Sequence, residues 1–183
     1  MKEAVDNLCI YDPEFESYAQ RFADDLGGSS AICKVGTIAE LQAVFENYVL
    51  VKFLDIVIHG KSAGVLELAD HTVVMGSYLG KLAMNKPFLQ RNARVLFSSC
   101  AIGAGESGGR FLDELGKTML IGKGGIIGAS TVDNAVVLPK SRSFAQAFLK
   151  PFTDGRLIVR KYNEAGEKVD GVSTDRRGNM ARN

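Results

Sequence analysis

At 183 residues, with 46% hydrophobic and 23% charged side chains, the chain has the size and composition of one globular domain with a sizeable core rather than of two independent ones. Lys and Arg (22) balance Asp and Glu (21) to a net charge of +1, which excludes a global field that would draw in nucleic acid or an anionic membrane surface. Function must therefore reside in a local site.

The pattern alternates strand and helix from the start, with no internal repeat, low-complexity block or long linker. Residues 8–11 read as a first strand, and Asp12-Pro13 supplies a helix cap followed by proline at the first helical position. Phe15, Tyr18, Ala19, Phe22 and Leu26 keep helical spacing until Gly27-Gly28 ends it. Residues 31–35 read as a second strand. Thr37-Ile38-Ala39-Glu40 spells a capping box, opening a helix with Ile38, Leu41, Val44, Phe45 and Tyr48 on one face. A third strand is expected over 53–58, a hairpin over 65–75, and a short helix containing Tyr78, Leu79 and Leu82 that ends before Pro87. The fourth strand, 94–99, leads through a glycine-rich turn into a helix with Phe111, Leu112, Leu115 and Met119 on one face. A fifth strand over 126–129, a helix over 139–149 and a sixth strand over 157–162 complete a domain of residues 1–170. Residues 171–183, with Arg176-Arg177 and few apolar side chains, are expected as a flexible tail. Alternation of this kind predicts an α/β fold, a three-layer αβα sandwich around a mostly parallel sheet of about six strands.

Three cysteines, Cys9, Cys33 and Cys100, cannot all pair within one chain, and none stands at metal-ligand spacing. A reducing compartment is the simplest setting. The first residues are polar and acidic where a signal peptide needs an apolar core, and the longest apolar stretch, 48–58, is broken by Lys52 and Asp55. The reading is a cytoplasmic protein with no membrane span.

Two strings stand out. The apolar run Phe53-Leu54-Asp55-Ile56-Val57-Ile58 ends in His59-Gly60, and Ala93-Arg94-Val95-Leu96-Phe97 ends in Ser98-Ser99-Cys100. Each places one reactive side chain just past a buried strand, at the edge where open α/β sheets bind ligands. A thiolate is a strong nucleophile and imidazole exchanges protons near neutral pH, so the pair has the makings of nucleophilic catalysis. Taken singly, a cysteine at a strand end is an ordinary core residue and a lone histidine an ordinary structural one. Their joint placement, flanked by glycine and small residues that let a substrate backbone approach, favours function. His71, beside Asp70, reads as a turn residue.

These two blocks resemble those of the caspase-like cysteine peptidases of clan CD, including the bacterial domains of CHAT type. His59-Gly60 followed by Gly64-Val65-Leu66-Glu67-Leu68 is similar to the histidine block, and Val95 to Cys100 with Gly103-Ala104-Gly105 is similar to the nucleophile block. The resemblance spans roughly residues 8–131. It implies that Cys100 attacks the scissile carbonyl, that His59 protonates the leaving amine, and that the backbone N–H groups of Gly60 and Cys100 hold the oxyanion. It implies a protein or peptide substrate, and it requires no metal, cofactor or third catalytic residue. An activating partner is left open. Several relatives that cut after basic residues carry an acid two places before the cysteine, where this chain has Ser98. By the same analogy the substrate pocket is expected to include Ser98, Ala129, Ser130, Thr131 and Asp133. Asp12 could line it too, although a capping role fits Asp12 better.

Two rival readings compete. Gly103-Ala104-Gly105-Glu106-Ser107-Gly108 spells G-x-G-x-x-G between a strand and a helix, the context of a dinucleotide site in an NAD-dependent oxidoreductase. It follows the fourth strand rather than the first, however, and the next strand ends in Ser130-Thr131 rather than in an acid. The other rival is a caspase-like fold that keeps the pair but acts as a binding or regulatory module. Nucleic-acid binding is disfavoured, since the basic residues form no stripe with interleaved aromatics.

Overall fold

Strands that are apolar on both faces can only be buried between layers, and this requirement organises the molecule. The computed structural model describes residues 2–26, 28–84, 87–131, 157–174 and 180–182. In chain order the elements are β1 (Glu3–Ala4), β2 (Asn7–Tyr11), a 3₁₀ turn (Pro13–Phe15), α1 (Glu16–Asp25), β3 (Ser30–Lys34), α2 (Ile38–Asn47), β4 (Tyr48–Val49) and β5 (Val51–Val57). There follow β6 (His59–Ser62), β7 (Val65–Glu67), β8 (Val73–Met75), α3 (Gly76–Met84), β9 (Leu89–Phe97), α4 (Gly105–Met119), β10 (Gly125–Ser130), β11 (Leu157–Tyr162), β12 (Lys168–Thr174) and β13 (Met180–Arg182). The capping box at Thr37 forms as expected, its side chain accepting from Glu40 N while Glu40 Oε2 accepts from Thr37 N.

The main sheet has eight strands in the order β13-β12-β11-β10-β9-β5-β2-β3. The five strands from β10 to β3 pair in parallel, while β11, β12 and β13 join antiparallel. The sheet is therefore mixed, and larger than the six strands expected. The extra members come from the chain's end. Residues 171–174 and 180–182, expected in a tail, are strand backbone in β12 and β13. Neither segment carries a sustained period-two alternation of apolar side chains, so the sequence gives no strand signal there. The hairpin expected over 65–75 forms as the antiparallel pair β7-β8, and β6 joins it in a separate three-stranded sheet that starts at His59 itself. The helix expected over 139–149 lies outside the described residues.

Period-two alternation divides the buried side chains between the two faces of the sheet. Leu8 and Ile10 of β2, Leu54 and Ile56 of β5, and Val95 and Phe97 of β9 pack with Leu41 and Phe45 of α2, Leu79 of α3 and Leu112 and Leu115 of α4. Cys9, Tyr11, Phe53, Val57 and Leu96 face the other way, onto Ala19 and Phe22 of α1. No helix among the described residues is long and apolar enough to cross a membrane.

The antiparallel part is fastened to the parallel part through α4. Arg160 on β11 pairs with Asp113 and donates to the carbonyl of Gly109 at 2.7 Å, and Tyr162 donates to Asp113 Oδ1 at 2.8 Å. The Tyr162 ring lies so close to α4 that a β-carbon at Gly116 would sit 2.2 Å from its Cζ. Gly116→Ala should therefore lower stability by about 1–3 kcal/mol, the range for overpacking a tight core. Urea unfolding measures this directly, and a variant as stable as the parent would show that the ring is free to retreat.

Candidate functional site

The site is built where β5 and β9 end together. These parallel neighbours pair Leu54 with Val95, Asp55 with Leu96 and Ile56 with Phe97, and Ser98 N extends the ladder to the carbonyl of Ile56 at 3.0 Å. Past that point a side chain replaces the backbone as partner, because the Ser99 hydroxyl accepts from Ile58 N at 3.3 Å. Both chains then leave the sheet at one level, carrying His59-Gly60 and Cys100. Gly60 lies directly on the nucleophile turn. A β-carbon there would stand 1.9 Å from the carbonyl oxygen of Cys100 and 3.2 Å from its nitrogen, so only glycine fits.

The turn after Cys100 is tightly held. Ala101 adopts the left-handed φ of 48°, a conformation costing an L-residue roughly 1–2 kcal/mol. Its surroundings enforce it: the carbonyl of Ile102 accepts from Gly64 N at 2.8 Å, and Gly103 N donates to the carbonyl of Ser130 at 2.7 Å. Thus the loop of the histidine sheet and the end of β10 both grip the nucleophile turn. Cys100 itself is half-buried and forms no disulfide.

The histidine looks the other way. The His59 side chain is 42% exposed, with Nε2 3.2 Å from Glu14 Oε2 and 3.8 Å from Asp12 Oδ1, and its ring centroid is 5.0 Å from that of Phe15. Among the described residues no hydrogen bond joins His59 to Cys100. Asp12 does cap the 3₁₀ turn, accepting from Glu14 N at 3.2 Å, and its Oδ2 is buried without a hydrogen-bond partner. In chain order the five parallel strands lie 2-1-3-4-5 across the sheet, so the crossovers reverse between β2 and β5, the crevice where such sheets bind ligands. Asp12 and His59 flank that crevice. Cys100 is one strand further along.

The expected pocket residues fare unevenly. Ala129 and Ser130 are fully buried at the end of β10, and Thr131 beyond them is half-buried. Asp133 lies outside the described residues. Ser98 is fully buried, with its hydroxyl occupied: it donates to Asp55 Oδ1 at 2.8 Å, while Tyr18 Oη donates to Asp55 Oδ2 at 2.8 Å and lies 3.0 Å from Ser98 Oγ. Ser98 thus belongs to an internal network rather than to an open pocket wall. Sequence reasoning took Asp55 only as a break in an apolar run. The usable signal was a carboxyl inside a strand buried on both faces, which demands partners. Burial pushes the Asp55 carboxyl up to about 7, against the hydrogen bonds from Tyr18 and Ser98 that favour its charged form.

The glycines of the G-x-G-x-x-G string have packing roles. A β-carbon on Gly108 would lie 2.1 Å from the carbonyl carbon of Gly103, and one on Gly103 would lie 2.9 Å from the β-carbon of Ala129. Two of the three glycines let α4 start against its own turn. Among the described residues no group of three or more His, Cys, Asp or Glu side chains could hold a metal ion. Compared with protein-family models, curated proteins and solved structures, the chain finds no match.

Asp55 makes stability pH-dependent in a defined window. Its folded-state pKa lies above the ordinary 3.8, so the folded chain holds the proton more tightly than the unfolded chain. That contribution is complete below pH ~4 and is lost as pH rises through about 7. Melting curves at intervals from pH 4 to 7.5 should show a decline in the parent that is largely absent in Asp55→Asn. Parallel curves for the two proteins would overturn the assignment.

Proposed function

We propose that this chain is a cysteine endopeptidase of caspase-like type, acting through Cys100 and His59. The observation that carries the reading is the seating of Gly60 on the Cys100 backbone, which brings the backbone segments bearing histidine and thiol together at the carboxyl ends of adjacent parallel strands. Helices packed on both faces of the sheet support the corresponding three-layer αβα architecture. Three unpaired cysteines fit a reducing, cytoplasmic setting.

In this reading His59 takes the thiol proton as the Cys100 sulfur adds to the scissile carbonyl, and the oxyanion is received by the backbone N–H groups of Gly60 and Cys100. His59 then protonates the leaving amine as the C–N bond breaks, leaving an acyl-enzyme. Water, deprotonated by the same imidazole, releases the second product and regenerates the thiol. For these steps the imidazole leaves Glu14 and turns toward the sulfur. Because it is exposed on one side and rests on Phe15, that rotation unpacks nothing of the core.

A second reading, a silent caspase-like binding module, is favoured by the placing of His59 Nε2 beside Glu14 rather than on the thiol. An electrophilic peptide separates the two: a peptidase is trapped covalently at Cys100 and a silent module is not. The dinucleotide reading draws less support, since packing already accounts for Gly103 and Gly108.

Cys100→Ala should abolish cleavage in a peptide-library screen while leaving the melting temperature nearly unchanged, and activity equal to the parent would end the assignment. His59→Ala should lose most turnover yet keep a reactive thiol, because the backbone donors do not depend on the imidazole.

The three cysteines should also separate on brief iodoacetamide treatment mapped by mass spectrometry. Burial pushes the Cys9 thiol well up and raises that of half-buried Cys33, so both should be slow, and Cys100 should be labelled first. A Cys100 as slow as Cys9 would mark it as a structural residue.

A further inference from the structure

The triangle of Asp55, Tyr18 and Ser98 is a polar island in an apolar layer, surrounded by Cys9, Tyr11, Ala19, Phe22, Phe53, Val57 and Leu96. Stability alone gives no reason for it. Apolar side chains of similar shape at all three positions would be nearly neutral or better, whereas the carboxyl carries a desolvation cost that its hydrogen bonds only offset. What apolar groups cannot supply is direction. Two hydrogen bonds of 2.8 Å onto Asp55, with the two hydroxyl oxygens 3.0 Å apart, fix three chain segments relative to one another.

Those three segments are the ones that carry the proposed chemistry. Ser98 stands at the end of β9, two residues before Cys100. Asp55 lies on β5, four residues before His59. Tyr18 is on the first turn of α1, three residues beyond Phe15, whose ring rests against the imidazole. The neighbouring serine completes the arrangement from the other side, since Ser99 Oγ binds Ile58 N, directly ahead of His59. Consecutive side chains in extended chain point to opposite faces, so Ser98 and Ser99 hold the last stretch of β9 from both.

We propose that Asp55, Tyr18 and Ser98 form a positioning network that sets the Cys100 turn against His59 and its flanking 3₁₀ turn. As positioning for catalysis it rests on the peptidase reading above. The network touches no substrate and acts on the nucleophile through Ser98 and on the histidine through Tyr18.

The test compares the full-length parent with Tyr18→Phe, Ser98→Ala and the conservative Ser98→Thr, by three measurements: kcat and KM on a cleaved peptide, iodoacetamide labelling rates of all three cysteines, and melting temperature. Loss of aim at the reacting centre should lower kcat about tenfold in Tyr18→Phe and Ser98→Ala with KM within about twofold, since small misplacements act on the chemical step. Labelling of Cys100 alone should change about threefold or more as the turn shifts, with Cys9 and Cys33 unchanged. Ser98→Thr, which keeps the hydroxyl, should recover most of both. A melting temperature that drops while kcat and Cys100 labelling stay within twofold of the parent would overturn the proposal, as would faster labelling of all three cysteines, the sign of general loosening. If Ser98→Ala fails to fold, the near-isosteric Tyr18→Phe decides alone. Should the parent cleave no peptide, the peptidase reading fails by itself, and Cys100 labelling still decides whether the network sets this turn.

Discussion

The contact on which the site depends is backbone against backbone. Gly60 lies flush on the carbonyl of Cys100, with less room than one methyl group requires, and everything around it keeps the two chains at that separation. The parallel pairing of β5 and β9 brings them to the same level, and Ser99 carries the pairing one step beyond the last regular backbone bond. The bonds from Gly64 to Ile102 and from Gly103 to Ser130 then anchor the nucleophile turn to the two elements beside it, holding Ala101 in the left-handed region. Strain at a single residue persists only where its surroundings over-determine it, and such residues gather at functional sites.

Beneath this contact the polar groups fall into two kinds. Asp55 and Ser98 are buried in the apolar layer and are joined there by half-buried Tyr18. Asp12, Glu14 and His59 stand at the crevice, where Asp12 keeps one buried carboxylate oxygen unpaired and Glu14 is largely exposed. The first group carries structural precision at a cost in desolvation. The second offers groups that a bound molecule can engage. Separation of this kind follows from topology: strand interiors lie within the packed core, whereas strand ends at the point of crossover reversal lie at its edge.

The antiparallel strands extend this scaffold without contributing to the pair. Their grip on α4, through Arg160 to Gly109 and Asp113 and through Tyr162 over Gly116, steadies the helix whose first turn follows the nucleophile. A helix that is close-packed at both ends transmits little motion to the turn before it. Gly116 records this grip, since the Tyr162 ring comes too near for a side chain there, while Gly108 is crowded by the backbone of Gly103 in the turn before the helix.

Local chemistry alone was enough for the elements of the parallel sheet from β2 to β10, the cap at Asp12, the capping box at Thr37, and the placing of His59 and Cys100 at strand ends. Each depends on neighbours within a few residues, where periodicity and capping preferences act. The last two strands are illegible because neither carries a sustained period-two alternation of apolar side chains, and the parallel or antiparallel sense of a pairing is not written in one strand's pattern. Ser98 was assigned to a pocket wall, yet its hydroxyl points to a carboxyl 43 residues away in sequence, and Gly60 meets a carbonyl 40 residues away. Such partners are chosen by strand register, which only the assembled sheet defines. Sequence by itself determined which side chains could do chemistry; tertiary structure decided which of them meet, because contact between distant residues is set by the pairing of whole strands and not by any local preference.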